Sequence, residues 1–217
     1  MYKYIIVASL LLLSACTNGT TTSKTDPLPT ETKVLIPSPT YGNGKHTLTI
    51  FADFQCPACI AFSKLVGPIF EEYASKGFLT ITYKQFPLTS IHPNAERDAV
   101  AGLCAAEEGK YMEYKKSLYA MEEAKSGAKV SDADRIAAAK WILDEAKITE
   151  CLKTSKYLPQ VRAEMAEGDA LGVAGTPTVF LDGKKLDPAI YRDPTVLKTI
   201  LDRLLEVNTA TSSWATK

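Results

Sequence analysis

The stretch that most constrains the fold is FADFQCPACIAF, residues 51–62. Residues 45–54 are β-branched and apolar, which is typical of a strand. Cys56 and Cys59 follow directly, with Pro57 just after the first cysteine. Proline fits the first turn of a helix because its missing N–H is not needed there. The stretch therefore predicts a strand that leads straight into a helix, with Cys56 at the helix start.

The following residues predict a strand, helix, strand unit. An apolar stripe predicts one helix over residues 57–75, ended by Gly77. Its members are Ile60, Leu65, Ile69 and Tyr73. Residues 78–88 alternate and predict a second strand. Two strands joined by a helix are expected to run parallel.

The middle of the chain, residues 94–171, has a helical pattern and no convincing strand. Asn94 is predicted to cap the first helix, and Gly109 to break it. Ser131 is predicted to cap a helix over residues 132–146. A third helix carries Leu158, Val161 and Met165 on one face.

The strand pattern returns at residues 176–182. Asp182-Gly183 predicts a tight hairpin turn, with residues 184–187 pairing back. Asp193-Pro194 predicts the start of a last helix. Its inward-facing residues are expected to be Val196, Leu197, Ile200, Leu201 and Leu204. Residues 208–217 are predicted to be a disordered tail.

The first 15 residues are typical of a secretory signal. Lys3 precedes an apolar run, residues 4–13, that is too short to span a bilayer as a helix. The run ends in LSAC, which resembles a bacterial lipobox, and that resemblance implies lipidation of Cys16. The alternatives are a plain signal peptide with a coincidental cysteine, or an uncleaved anchor.

Residues 16–44 are rich in Thr, Ser, Pro and Gly. Such a segment buries too little apolar surface to order itself, so a flexible tether is predicted. The alternative for residues 33–37 is an edge strand or a segment that packs on the domain.

Chain length and charge limit the number of domains and the kinds of partner that this protein can have. The 217 residues suffice for one domain with an insertion. The net charge is +0, with 25 basic and 25 acidic side chains. The absence of a long basic run argues against nucleic acid as the main partner.

The element order, the Cys-Pro-Ala-Cys motif and the GTPT stretch at residues 175–178 together resemble the DsbA-like thiol-disulfide oxidoreductases. The resemblance covers residues 45–207. It implies an α/β protein, a thioredoxin fold with an inserted all-helical domain at about residues 92–171.

The motif and the resemblance suggest roles for individual residues. A cysteine at a helix N-terminus favours its thiolate, so Cys56 is predicted to be the nucleophile and the deeper Cys59 the resolving cysteine. The resemblance implies a cis Pro177 beside them, whereas a trans proline at an edge strand is the alternative. It also implies that Thr176, Pro57 and Ala58 contact substrate.

The resemblance further implies a structural disulfide between Cys104 and Cys151. The alternative is two buried free thiols. Ala58 offers neither charge nor hydrogen-bond donor, so Cys56 is expected to be less acidic than in the most oxidising relatives, which carry histidine there. Asp53 is either a proton acceptor for Cys59 or a solvated or capping residue. His92 either lines the groove or caps a helix.

Three other functions fit parts of the sequence. A zinc site needs two more ligands, and the spacing of Cys104, Cys151, His46 and His92 is wrong for a finger. Membrane-anchored copper chaperones of this fold carry Cys-X-X-X-Cys and a distant histidine, and this motif is one residue shorter. A binding module would use the disulfide only as a staple.

The expected function is a monomeric thiol-disulfide oxidoreductase of the bacterial cell envelope, most simply an oxidase, with reductase or isomerase activity as the alternative. No metal, nucleotide or flavin site is visible, so the redox centre would be the Cys56–Cys59 disulfide itself. Expected partners are exported proteins with cysteines, a membrane redox partner, and the lipid membrane through Cys16.

Overall fold

The computed structural model describes residues 36–205. The predicted signal peptide, the lipidation site Cys16, the first part of the tether and the predicted tail lie outside the described residues.

A five-stranded mixed sheet forms the centre, in the order β1-β3-β2-β4-β5. The strands are β1 (Thr40–Tyr41), β2 (His46–Ala52), β3 (Leu79–Gln85), β4 (Thr178–Leu181) and β5 (Lys184–Lys185). Strands β2 and β3 run parallel, and the other neighbouring pairs are antiparallel. The predicted parallel unit is therefore confirmed.

Helices cover the sheet and form the insertion between β3 and β4. They are α1 (Pro57–Leu65), α2 (Gly67–Ser75), α3 (Ala95–Glu107), α4 (Tyr111–Lys125), α5 (Asp132–Ala139), α6 (Glu145–Thr154), α7 (Leu158–Ala170), α8 (Pro188–Arg192) and α9 (Pro194–Leu204). The five from α3 to α7 are the predicted all-helical insertion, so the predicted fold class is confirmed. Among residues 36–205, no helix combines the length and hydropathy needed to cross a membrane.

The single helix predicted over residues 57–75 is two helices. Val66, at φ −117° and ψ −14°, separates α1 from α2. Pro68 lies in the first turn of α2, where it has no N–H to donate and its ring would clash with the carbonyl four residues earlier in a continuous helix. The break turns Leu65 outward, and its surface is 52% exposed. The prediction of Leu65 in the buried stripe was therefore wrong.

The insertion differs from prediction at one helix end and at one cap. Ser131 caps α5 as predicted, in a capping box with Asp134. The helix that it begins ends at Ala139 and not at residue 146, and Asp144 caps a separate α6. Asn94 does not cap α3 with its side chain. Its amide instead donates to the Ala128 carbonyl at 2.9 Å and accepts from the Val130 N–H at 3.2 Å.

The C-terminal part agrees closely with the prediction from the sequence. Asp182 and Gly183 have positive φ and form the turn between β4 and β5. Asp193 caps α9 through the backbone N–H groups of its first turn. Leu197 and Leu201 are fully buried, whereas Val196 and Leu204 are exposed, so the inward face is narrower than predicted. Helix α8 was not predicted.

The tether predicted to reach residue 44 is shorter, because residues 36–44 belong to the fold. Strand β1 pairs with β3. The Ser38 hydroxyl donates to the buried Glu164 carboxylate at 2.8 Å. Ile36 packs against the core, which agrees with the alternative that the end of residues 33–37 packs on the domain.

A disulfide joins Cys104 of α3 to Cys151 of α6, with the two Cα atoms 6.1 Å apart. Both cysteines are buried. This is the pair that the family resemblance implies, and it ties two helices of the insertion together.

Candidate active site

The Cys-Pro-Ala-Cys motif lies where the sheet meets α1. Cys56 is the N-cap residue of α1 and Pro57 is its first residue. The backbone N–H groups of Cys59 and Ile60 donate to the Cys56 carbonyl at 3.0 and 3.1 Å. The first turn of the helix is thus formed, and its start lies beside the Cys56 sulfur.

Cys56 is the more accessible of the two sulfur-bearing residues. It is 6% exposed, and the neighbouring Pro57 and Ala58 are exposed. A hydrogen bond from the Cys59 thiol lowers the pKa of Cys56 to about 5, and Thr176 and the N–H groups of Cys59 and Ala58 add to this effect against the opposing effect of burial. Cys56 is therefore a thiolate at neutral pH.

Cys59 differs because it is fully buried. Burial raises the pKa of Cys59 well above its ordinary value, and hydrogen bonding to the Cys56 sulfur raises it further. Its sulfur accepts the Asp53 N–H at 3.5 Å. Both residues are free thiols here. The pair therefore consists of a thiolate that is 6% exposed and a thiol that is fully buried.

Thr176 and Pro177 lie against the motif from the other side. The peptide bond between them is cis. The Thr176 carbonyl oxygen lies 3.4 Å from the Cys56 sulfur. The Thr176 hydroxyl is buried and has no hydrogen-bond partner within residues 36–205. The Thr176 side chain lowers the pKa of both Cys56 and Cys59.

The Asp53 carboxylate is completely buried and fully hydrogen-bonded. It accepts the Gln55 N–H at 2.7 Å, the Leu88 N–H at 2.9 Å and Nδ1 of His92 at 2.7 Å. Its contact with the Cys59 sulfur is made by its backbone N–H. This arrangement fits a residue that holds the loops around the motif, and it gives no direct contact for the alternative role of proton acceptor.

Gln55, like Asp53, bonds to the segment that leads into α3. Its side-chain oxygen accepts the Asn94 N–H at 2.9 Å at the start of α3. Together with the Asp53–His92 pair, this bond connects the residues just before Cys56 to the segment that opens the insertion. The other histidine, His46, lies apart from the motif and pairs with Asp182 at 2.7 Å.

Two grooves flank α1, and Ala61 lines both. One, of about 310 Å³, is lined by Ala58, Phe62, Leu65, Thr176, Pro177 and Tyr191 among others. The second, of about 500 Å³, has an apolar lining from Pro57, Ile60, Ile91 and Pro93 and also includes His92 and Glu122. Of the residues predicted to contact substrate, Ala58 and Thr176 line the first groove and Pro57 lines the second.

The sequence analysis missed two buried charged residues of α4. Lys115 and Glu122 are 3% exposed each. They lie on the same buried face of the helix as Tyr111, Leu118 and Tyr119. A charge within an otherwise apolar helical stripe was the signal that could have found them. Within residues 36–205, no three His, Cys, Asp or Glu side chains are grouped so that they could hold one metal ion.

The sequence matches the family model described as Thioredoxin over residues 37–203. The chain belongs to the thioredoxin family. The match includes the motif, the helical insertion and the Thr176–Pro177 element.

Two curated proteins illustrate the relatives of this thioredoxin-family chain. It is 32% identical over 141 residues to the Na(+)/H(+) antiporter NhaA 1 of Mycolicibacterium gilvum, which is 64% of this chain and 22% of that protein. It is 27% identical over 158 residues to the thiol:disulfide interchange protein DsbC of Escherichia coli, which is 73% of this chain and 51% of that protein. The chain thus spans about a fifth of the length of the antiporters that it matches.

Solved structures show the same fold. The crystal structure of Chlamydia trachomatis DsbA superimposes with a TM-score of 0.69 at 17% sequence identity, covering 84% of this chain and 98% of that one. The family member described here therefore has the DsbA-like form of the thioredoxin fold, with the helical insertion in place.

Proposed function

We propose that this chain is a thiol-disulfide oxidoreductase of the cell envelope that exchanges disulfides with exported proteins through Cys56 and Cys59, most simply as an oxidase. The observation that carries the proposal is the asymmetry of the pair. The thiolate of Cys56, the more exposed of the two, can attack a disulfide or leave from one, and the fully buried thiol of Cys59 can resolve the intermediate. The Escherichia coli relative DsbC is a thiol:disulfide interchange protein, and this similarity supports the same chemistry.

In the oxidase direction, a substrate thiolate attacks the Cys56 sulfur of the Cys56–Cys59 disulfide. The bond to Cys59 breaks, Cys59 leaves as a thiolate and takes a proton, and a mixed disulfide remains on Cys56. A second substrate thiolate then attacks the substrate sulfur of that mixed disulfide, and Cys56 leaves as its stable thiolate. The substrate has lost two electrons and the cysteine pair has gained them. A membrane redox partner would remove them.

The acidity of Cys56 supports the oxidase direction. A stable thiolate stabilises the reduced form and so makes the disulfide more oxidising. The pKa of Cys56 is lowered to about 5, which lies between about 7 in thioredoxin and about 3.5 in DsbA. We therefore expect a reduction potential between about −270 mV and about −120 mV, the values of those two proteins.

Location and anchoring are part of the proposal. The disulfide between Cys104 and Cys151 is typical of a protein exposed to an oxidising compartment. The lipobox-like LSAC sequence supports cleavage before Cys16 and lipidation of that residue. The domain would then act as a monomer on the outer side of a membrane.

The test is the reduction potential of the Cys56–Cys59 pair, by equilibration with glutathione followed by thiol trapping and peptide mapping. A value between the two limits, together with oxidation of a reduced unfolded substrate protein, is the expected result. A value near −270 mV would point to a reductase. Cys56→Ser is the matched control and should form neither the disulfide nor the products.

A pair that never exchanges with glutathione would overturn the proposal. Partner binding that survives in Cys56→Ser would then indicate a binding module. Stoichiometric metal binding that is lost in Cys56→Ser would indicate a metal carrier.

A further inference from the structure

Attack by Cys59 on a mixed disulfide requires that the buried Cys59 thiol first lose its proton. Burial raises the pKa of Cys59 well above its ordinary value, so few molecules carry the thiolate at neutral pH. Solvent cannot take the proton directly because Cys59 is 0% exposed. If the proposed function is correct, a group inside the protein has to accept this proton.

A small cavity of about 10 Å³ lies beside Cys59. This volume is close to what one water molecule needs. The polar part of its lining comes from Cys59, Ser63, Tyr83, Lys115 and Tyr119. An acceptor for the Cys59 proton can therefore be sought among these few side chains.

Most of these groups cannot act as a base near neutral pH. Burial raises the pKa of both Tyr83 and Tyr119 well above the ordinary value, so they remain hydroxyls. Ser63 is an alcohol and holds its proton more firmly still. Asp53, which contacts the Cys59 sulfur only by its backbone N–H, has its carboxylate occupied by three other donors.

Lys115 is the exception in this lining. Its side chain is 4% exposed and its Nζ donates to the Tyr83 hydroxyl at 3.1 Å. The Glu71 carboxylate lies 3.7 Å from Nζ, and Lys116 follows on the same helix. Burial lowers the pKa of Lys115 to about 8, although Glu71 opposes this shift. A buried lysine with this environment exchanges protons in the physiological range.

We propose that Lys115 accepts the proton of the Cys59 thiol when Cys59 attacks the mixed disulfide on Cys56, and returns it in the reverse step. The S–H bond of Cys59 breaks and its proton passes to the neutral amine through one water in the cavity that both residues line. The sulfur electron pair forms the Cys56–Cys59 bond, and the bond between Cys56 and the substrate sulfur breaks. The substrate leaves as a thiolate. Glu71, which is 21% exposed, then accepts the proton from Lys115 and releases it to solvent.

The experiment uses the purified full chain in its reduced form and an excess of oxidised glutathione. Samples are quenched with acid and analysed by mass, so that the glutathione mixed disulfide and the closed Cys56–Cys59 disulfide are counted separately. The second step is independent of glutathione concentration and reports attack by Cys59. Its rate is measured from pH 6 to pH 10.

Lys115→Met should slow this second step by about 100-fold, the usual contribution of a positioned acid or base. The mixed disulfide should accumulate, while the pKa of Cys56, followed by thiolate absorbance, stays unchanged. Lys116→Met is the matched control, since Lys116 is adjacent, 64% exposed and also close to Glu71. At the top of its pH profile this control should reach the wild-type rate, and the profile should move slightly to higher pH, because the Lys116 charge helps to lower the pKa of Lys115.

Lys115→Arg separates proton transfer from charge. Arginine keeps the positive charge but does not deprotonate at these pH values, so this variant should be as slow as Lys115→Met. A wild-type rate in Lys115→Arg or in Lys115→Met would overturn the proposal. If either variant fails to fold, Glu71→Gln provides the test, because loss of the carboxylate should move the wild-type pH profile to lower pH, and an unmoved profile would overturn the proposal.

Failure of the proposed function would look different. A wild-type chain that forms no mixed disulfide with glutathione would lack the oxidoreductase activity itself. A wild-type chain that forms and resolves it, with no effect at Lys115, would retain the function and lose only this inference.

Discussion

Asp53 and His92 meet side chain to side chain at 2.7 Å, in the buried layer directly before the two cysteines. The pair joins the end of β2 to the loop that opens the helical insertion. Because Asp53 also accepts two backbone N–H groups, removal of its carboxylate leaves several donors without an acceptor.

Asp53→Ala should therefore lower the free energy of unfolding by about 3 kcal/mol, since a buried unsatisfied donor costs about 1–3 kcal/mol. His92→Ala removes one charge-assisted bond and should cost roughly 1.5 kcal/mol. Urea unfolding measures both. Asp169→Ala, at an exposed position of α7, is the control and should be near neutral. Full stability in Asp53→Ala combined with lost thiol exchange would instead make Asp53 part of the chemistry.

A second prediction concerns Thr176. Its buried hydroxyl makes no hydrogen bond within residues 36–205, and the side chain lowers the pKa of both Cys56 and Cys59. Thr176→Val keeps the shape and removes the donor. The pKa of Cys56 should rise by about one unit, since a hydrogen bond to a charged group contributes roughly 1.5 kcal/mol and 1.36 kcal/mol corresponds to one unit.

The pH dependence of Cys56 alkylation measures this pKa. In the wild type the rate should reach half its maximum at about pH 5. The reduction potential of Thr176→Val should become more negative, because the reduced form loses stability. Thr195→Val is the control, since Thr195 lies in the first turn of α9, away from the motif. An unchanged pKa of Cys56 in Thr176→Val would show that the hydroxyl does not stabilise the Cys56 thiolate.

The fold was predictable because its main signals are local. Cys56, Pro57 and the apolar residues before them define a strand-to-helix junction, and β-branched alternation defines β3. Asp182-Gly183 carries its own turn chemistry. The helix break at Val66 was also predictable, because Pro68 follows it. The apolar stripe continues on both sides of the break, however, and this continuity favoured a single helix.

The site was predictable only in part. Cys56, Cys59 and Pro177 belong to short motifs that can be recognised without coordinates. Asp53, Asn94 and Lys115 each bind a partner that lies more than 30 residues away along the chain. Such contacts depend on how the insertion packs on the sheet, and no local pattern encodes that packing.

A third prediction concerns the structural disulfide. The bridge from Cys104 to Cys151 closes a loop with a sequence separation of 47. Replacement of both cysteines by alanine should lower the free energy of unfolding by about 4 kcal/mol, the value of the chain-entropy model for such a loop. Denaturant unfolding of the double variant and the wild type, both with Cys56 and Cys59 oxidised, measures the difference. Equal stability would contradict a structural role for the bridge.

The last prediction concerns a buried carboxyl pair on the inner face of the insertion. Asp98 of α3 and Glu122 of α4 face one guanidinium, that of Arg135, which binds Asp98 at 2.7 Å. Within residues 36–205, Asp98 Oδ2 and both oxygens of Glu122 are buried without a hydrogen-bond partner. Burial and the neighbouring Asp98 raise the pKa of Glu122 to about 8 from its ordinary value of 4.5.

The raised pKa of Glu122 determines how the stability of the folded protein changes with pH. Between about pH 4.5 and pH 8 the folded state holds a proton at Glu122 that the unfolded state has lost. The free energy of unfolding therefore falls as the pH rises through this window. Glu122→Gln places a permanent N–H donor against Asp98 and removes the titration. It should match the wild type near pH 4.5 and exceed its stability by roughly 2 kcal/mol at pH 8.

Denaturant unfolding of the oxidised protein at each pH gives this comparison, because oxidation removes the titration of Cys56 from both proteins. Glu123→Gln is the matched control, since Glu123 is the next residue and is exposed, in a pair with Lys64. Its stability should follow the wild-type curve at every pH. A Glu122→Gln curve parallel to that of the wild type would mean that Glu122 is already ionised in the folded protein, and that Arg135 is shared by two carboxylates.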